Sequence, residues 1–166
     1  MAKSFKYKDD NYLDSTGIVH NKELLSSIIE KNRKQIITVG VESAYSSPAS
    51  NTIVSFNKVI SIKGDLLTLT NSKIKIGSNI NYIKVSASIG IANTSVNQVP
   101  ILRLCKNDEV LNVFGLTTPT NSSNAWLTVT PFLIPVTEGD LIDLKIHGNS
   151  GNVTVRNTSY MTIESI

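Results

Sequence analysis

At 166 residues the chain has room for one domain with a sizeable core and little left for a second. Hydrophobic residues make up 40% but aromatics only 6%, so the apolar content is mainly Ile, Val and Leu; with abundant Ser, Thr and Asn this suits short strands joined by turns and argues against a helical bundle. The formal charge of +3 lacks the clustered basic stripe with interleaved aromatics that nucleic-acid binding needs, and the densest group, Lys31-Asn-Arg-Lys34, reads as a solvated helix end.

Cys105 stands alone, which excludes an intrachain disulfide and a multi-cysteine zinc site. The N-terminus lacks the apolar stretch of a signal peptide and no run approaches membrane-spanning length. Synthesis in the cytosol without membrane insertion is expected.

Residues 1 to about 17 are polar and of mixed charge, with Phe5, Tyr7, Tyr12 and Leu13 scattered among Lys and Asp. Such a segment buries too little apolar surface to fold alone, so its aromatics suit docking on another surface. Adjacent Asp9 and Asp10 lack a third converging ligand and read as solvated rather than metal-binding. A short helix follows, capped by Asn21, with Leu24, Leu25, Ile28 and Ile29 at helical spacing. Two or three turns are marginal in water, so this stripe must be covered by the domain, by sister copies or by a larger scaffold. Residues 1–35 are thus expected as an N-terminal docking segment with a short helix, and residues 36–166 as a separate β domain.

From Gln35 the periodicity changes to two. Ile37, Val39 and Val41 alternate as a first strand, while Ser43–Ser50 is a loop by composition. Ile53–Phe56, Val59–Ile62, the run containing Leu67 and Leu69, and the pair Ile74 and Ile76 read as short strands. The clearest central strand runs from Asn81 to Ile89, with Ile83, Val85, Ala87 and Ile89 on one face and Tyr82, Lys84, Ser86 and Ser88 on the other. Pro100–Val110 predicts a hairpin with Lys106-Asn-Asp-Glu109 at its tip, Leu102 and Leu104 inward and Cys105 on the opposite face. Leu116–Asn124 is the most polar long loop, and Thr117, Thr118, Thr120, Asn121 and Asn124 in it are candidates for receptor contact. Beyond Trp126, Gly139 makes a tight reversal; Ile142, Leu144 and Ile146 then alternate with a wet row of Asp143, Lys145 and His147. A turn at Asn149–Asn152 and a closing strand with Met161 and Ile163 complete roughly nine or ten strands, the spacing of a sandwich or jelly roll.

The order of strand, Gly139-Asp140, alternating strand, Asn/Gly turn, Thr158-Ser-Tyr160 and closing strand resembles the end of C1q- and TNF-like jelly-roll domains, over roughly Val39 to Ile166. The resemblance implies an all-β jelly-roll sandwich, here preceded by the docking segment and helix, and a homotrimer in which Tyr82 lies near the subunit interface. The weakly charged side of the last strand, with Tyr160 and Thr162, suits the same neighbour, and Trp126 is assigned there too. Asp140 and Asp143 resemble the calcium-binding loops of some C1q-like domains but offer too few ligands.

Catalytic chemistry is not legible. Cys105 has no histidine near it in sequence, His147 with Asp143 lacks a nucleophile elbow, and no phosphate loop or His-Glu-x-x-His occurs. No enzyme activity, cofactor or metal is expected. The opening Phe5-Lys-Tyr-Lys-Asp-Asp-Asn-Tyr-Leu-Asp-Ser-Thr-Gly-Ile-Val-His-Asn-Lys22 is similar to the start of small phage-encoded proteins of low-GC bacteria. This resemblance implies a virion appendage, a head fibre or a tail or baseplate receptor-binding protein, held to a capsid or tail scaffold by its N-terminus and contacting a host-surface glycan or protein. The alternative is a cellular C1q-like or carbohydrate-binding surface module. For a sugar site Trp126 and Tyr45 are the available aromatics, with Trp126 expected to pack inside.

Overall fold

The computed structural model describes residues 5–6, 11–13, 19–21, 33–93, 100–115 and 125–166. The chain divides into two units, Met1–Arg33 and Lys34–Ile166. In the first, β1 (Phe5–Lys6), β2 (Asn11–Leu13) and β3 (Val19–Asn21) form an antiparallel sheet in that order, pairing Phe5 with Leu13 and Tyr12 with His20. Asn21, expected as a helix cap, is the last residue of β3. The helix positions Leu24, Leu25, Ile28 and Ile29, and also Tyr7, lie outside the described residues, as does the loop with Thr117, Thr118, Thr120, Asn121 and Asn124.

The second unit is a two-layer antiparallel sandwich. One layer has the order β6-β4-β14-β9-β12, from β4 (Ile36–Gly40), β6 (Lys58–Lys63), β9 (Tyr82–Asn93), β12 (Ala125–Pro135) and β14 (Tyr160–Ser165). The other is built on β13 (Leu141–Val155), flanked by β5 (Tyr45–Ile53) and by the hairpin of β10 (Ile101–Lys106) and β11 (Glu109–Gly115). A second hairpin, β7 (Leu67–Thr70) with β8 (Lys73–Ile76), joins the start of β13 through β8. Alternation does what the sequence leads one to expect in β9: Ile83, Val85, Ala87, Ile89 and Ile91 are buried, and Tyr82 faces out. They meet Leu102, Leu104, Leu144 and Ile146 of the second layer in one core that also holds Phe56, Leu67 and Ile163.

Four local expectations change. The Ser43–Ser50 stretch is not a loop, because Tyr45 onward pairs with β13 as an edge strand, where Pro48 and a run of small polar residues are tolerated. The Tyr45 hydroxyl accepts the Ser55 N–H at 2.7 Å just beyond that strand. Ile53–Phe56 is therefore not a strand of its own: β5 ends at Ile53, and Val54 and Phe56 plug the core from the turn. Nor do Asn149–Asn152 make a turn between strands; β13 runs through them, with its register shifting between His147 and Asn152, so that its far end reaches β9 of the first layer. The row Asp143, Lys145 and His147 is not wet at its first two positions. Asp143 is fully buried and Lys145 nearly so, because the turn at Asp108 and the side chain of Lys73 close over them.

That turn is compact because Asn107 and Asp108 both take left-handed backbone angles, φ 52° and 69°. Asn107 Oδ1 accepts the Leu141 N–H at 2.9 Å, while its amide donates to Asp140 Oδ1 at 2.7 Å. Asp140 Oδ2 also accepts the Thr137 N–H at 2.9 Å, closing the reversal in which Gly139 sits at φ 90°. Burial pushes against ionisation of Asp140, yet the Thr137 N–H, the Asn107 amide and the Lys106 charge hold its carboxyl below the usual carboxylate range.

Candidate self-association face

On the outer side of the first layer, the odd-even alternation of four strands turns one set of side chains away from the core. Tyr82, Trp126 and Tyr160 are about half exposed, at 49%, 48% and 42%, and Leu133 is exposed at 56%. Four large hydrophobic groups therefore stand on the open side of one sheet. The structure thus places Tyr82, Trp126, Tyr160 and Thr162 on one face, although not in one cluster. Trp126 is registered with Gly90 and Tyr160 with Ser88, whereas Tyr82 is registered with Pro135 at the other end of β9. Eight residues separate Tyr82 from Gly90, roughly 27 Å along an extended strand. Thr162 is partly covered and its hydroxyl shares a hydrogen bond of 3.1 Å with Thr38 of the neighbouring strand.

The Trp126 site is made by what Gly90 lacks. A Cβ there would lie 3.1 Å from two ring carbons, Cη2 and Cζ3, and 3.2 Å from Arg156 Cδ. The indole therefore lies across β9 with its inner side on the Gly90 backbone and its outer side open, which corrects the expectation of a packed tryptophan. Gly90 is pinned from the other direction: its N–H donates to Ser159 Oγ at 3.0 Å and its carbonyl accepts the Arg156 N–H at 2.9 Å. Ser159 is buried and extends the β14 ladder by one side-chain bond where the backbone turns away. Sequence reasoning missed Gly90, Ser159 and Leu133. A glycine in an otherwise β-branched strand was the available signal for the first; a bulge in β12 between Val129 and Phe132 set the facing of the last.

Between the two aromatic ends the face carries charge. Glu164 forms ion pairs with Lys34 and, at 2.7 Å, with Lys84. Lys34, expected to belong to a solvated helix end, instead joins this pair of strands. The face is thus mixed: apolar at both ends, with small hydroxyl side chains and one ion-pair group between.

The other candidates fall elsewhere. Register places Cys105 on the face opposite Leu102 and Leu104, as expected, opposite Asp143 and fully buried. Burial first, and then the Asp143 charge, push the thiol up to about 11, which keeps it un-ionised and inert. Asp108 accepts from both Lys73 and Lys145 on one oxygen, at 2.8 and 2.9 Å, and these two hydrogen bonds hold its carboxyl down to about 2. Asp143 lies beneath with neither oxygen hydrogen-bonded and Lys73 Nζ at 3.5 Å; burial raises its pKa despite the two lysines. Among the described residues no group of three or more His, Cys, Asp or Glu is arranged to hold a metal ion. Asp140 is occupied in its turn and Asp143 is enclosed by lysines, an arrangement unsuited to calcium.

No protein-family model matches the chain, and no curated protein does. Solved structures do resemble it. A crystal structure of murine APRIL at pH 5.0 superposes with a TM-score of 0.60 at 10% identity, over 81% of this chain and 100% of that one. The Eiger TNF of S. frugiperda gives 0.57 at 9% identity, over 80% and 91% of the two chains. The globular domain of zebrafish complement 1qA gives 0.55 at 9% identity, over 80% and 96%. The fold is therefore an all-β TNF/C1q-like jelly roll.

Proposed function

We propose that the chain is a non-enzymatic structural and adhesive protein, a homotrimeric bacteriophage appendage whose N-terminal segment attaches to a capsid or tail scaffold and whose jelly-roll head contacts the host surface. The observation that carries the self-association is the outer face of the first layer, with Tyr82, Trp126, Leu133 and Tyr160 left open on a rigid sheet. Aromatic groups of this kind supply most of the energy of subunit contacts, and small hydroxyl side chains between them permit close approach. A threefold contact joins two different patches, so this face meets another part of the neighbouring copy rather than itself. Adhesion then rests with the segment of residues 116–124, which links β11 to β12 in sequence. The phage setting is supported by the resemblance of residues 5–22 to the start of small phage proteins.

The test has three parts. Sedimentation of the full chain is expected to give a trimer, and a monomer at tens of micromolar would reject the assembly. Removing residues 1–34 is expected to leave a folded β domain and abolish incorporation into particles; truncated chains found in virions would reject the docking role. Substituting Thr117, Thr118, Thr120, Asn121 and Asn124 is expected to abolish binding to host cells, and unchanged adhesion would reject the loop as receptor contact.

A second reading has one observation in its favour. The open indole of Trp126, on the same sheet face as Tyr160, Ser88 and Thr128, is a platform on which a sugar ring can stack, as a cellular carbohydrate-binding module would use it. Binding of a soluble glycan to a monomeric chain, lost with Trp126→Ala, selects this reading over the trimer.

A further inference from the structure

We infer that β6 is an acceptor edge, which takes up an extended segment of a partner protein whose short apolar centre is flanked by carboxylates. This concerns the edge of the first layer rather than its aromatic residues, although Ile60 lies on the same outer side, against Gly40 next to Tyr160; it does not depend on the trimer.

Among the described strands, β6 hydrogen-bonds to β4 on one side and ends the first layer on the other. All six of its residues, Lys58–Lys63, are exposed, including Val59 at 44%, Ile60 at 55% and Ile62 at 54%. The apolar groups stand on both sides of the strand. Val59 and Ile62 are registered with buried Val39 and Ile37 and so face the side that the second layer covers elsewhere. Ile60 is the extra residue of a bulge opposite Thr38 and Val39, and its Cδ1 lies 2.7 Å from where a Gly40 Cβ would be, which puts it on the outer side. An added strand is the ligand shape that covers apolar groups above and below an edge while satisfying the backbone groups of that edge.

Edge strands are ordinarily blunted by charges within the strand or by proline. Here the centre Val59-Ile60-Ser61-Ile62 carries neither, and the lysines stand only at the ends. Among the described residues neither Lys58 nor Lys63 has an ion-pair partner. Their placement selects the occupant. Antiparallel pairing of two β6 strands about their centre sets Lys58 opposite Lys63 at both ends, a like-charge arrangement that disfavours a second copy. A strand with acidic ends sets a carboxylate opposite each lysine and its apolar centre opposite Val59–Ile62.

Hydrogen exchange of the full chain, read by mass spectrometry over residues 57–64, tests this with two end-blocked synthetic hexapeptides at millimolar concentration: Glu-Ile-Thr-Val-Thr-Glu and the same sequence with lysine at both ends. The acidic-ended peptide is expected to slow exchange across β6 at least tenfold, and the lysine-ended one to leave it unchanged. In the double variant Lys58→Glu, Lys63→Glu the preference is expected to reverse. Equal binding of both peptides, no effect of either, or an unreversed preference overturns the inference. So does strong protection of β6 in the chain without peptide, which means that the edge is already filled.

Discussion

Trp126→Ala offers the sharpest measurement of the self-association face. The side chain is 48% exposed and its inner side rests on a glycine backbone, so truncation removes little that holds the folded subunit together. Surface changes of that sort shift stability by about 0.5 kcal/mol or less. In an assembly the open half of the indole becomes buried. A large aromatic buries up to about 250 Å², so roughly 100 Å² of apolar surface is at stake in each contact. At about 25 cal/mol per Å² this is roughly 2.5 kcal/mol, or about sixtyfold in an equilibrium constant. A closed trimer repeats the contact three times, so the association constant from three monomers should fall by roughly five orders of magnitude. Analytical ultracentrifugation across nanomolar to high-micromolar concentration reads this directly, with urea unfolding of the dissociated subunits as the control for folding. A variant that trimerises at the same concentration as the parent chain, with unchanged subunit stability, refutes the role given to Trp126. Tyr160→Ala is expected to shift assembly in the same direction.

Ser159→Ala should cost about 1–3 kcal/mol in urea unfolding, because it leaves the Gly90 N–H buried without its acceptor; a loss under about 0.5 kcal/mol would show that water replaces the hydroxyl. Asp140 and Asp143 should act on acid stability with opposite signs. The carboxyl of Asp140 is held below its ordinary 3.8 in the folded chain, so its contribution is complete above that value and lost as pH falls through the folded pKa. Asp143 is raised above 3.8, so its protonation favours the folded state and its ionisation works against folding as pH rises. Urea midpoints between pH 3 and 7 should therefore vary less with pH in Asp140→Asn and rise more steeply with pH in Asp143→Asn; matching slopes in both variants would contradict this assignment. Cys105, un-ionised and buried, should resist iodoacetamide at pH 8 in the native chain and react fully in denaturant. Stoichiometric labelling of the native chain would mean that the second layer opens at its β10–β13 pair.

The sandwich was legible in the sequence wherever a strand has one wet and one dry face. In β9 the alternation from Tyr82 to Ile89 gives the buried set and the outward tyrosine without error. It failed where polar residues answer to tertiary partners. Lys145 and Asp143 look like solvent-facing residues, since their alternation with Ile142 and Leu144 is that of a half-exposed strand; only the arrival of Lys73 and Asp108, distant in sequence, encloses them. The Ser- and Pro-rich stretch after Glu42 has loop composition because an edge strand needs neither apolar alternation nor every backbone donor. The candidate face was half legible. Tyr82 and Tyr160 follow from periodicity, whereas the seating of Trp126 depends on Gly90 across the β9–β12 pair, and Leu133 on a bulge that no local pattern announces.

The place of β14 also bears on how the protein is made. It lies between β9 and β4, and the Thr38–Thr162 bond that ties it to β4 spans 124 residues. Of the described strands it is the last to leave the ribosome, so β4 waits, paired on one side only, while the rest of the layer is synthesised. Closing so long a loop is slow, and unpaired strand edges during that wait invite association with other nascent chains. The outward aromatics Trp126 and Tyr160 come together on one sheet only when β14 inserts. In the proposed trimer, competence to assemble is thereby coupled to completion of the layer, and partly synthesised chains are kept from assembling through the full face.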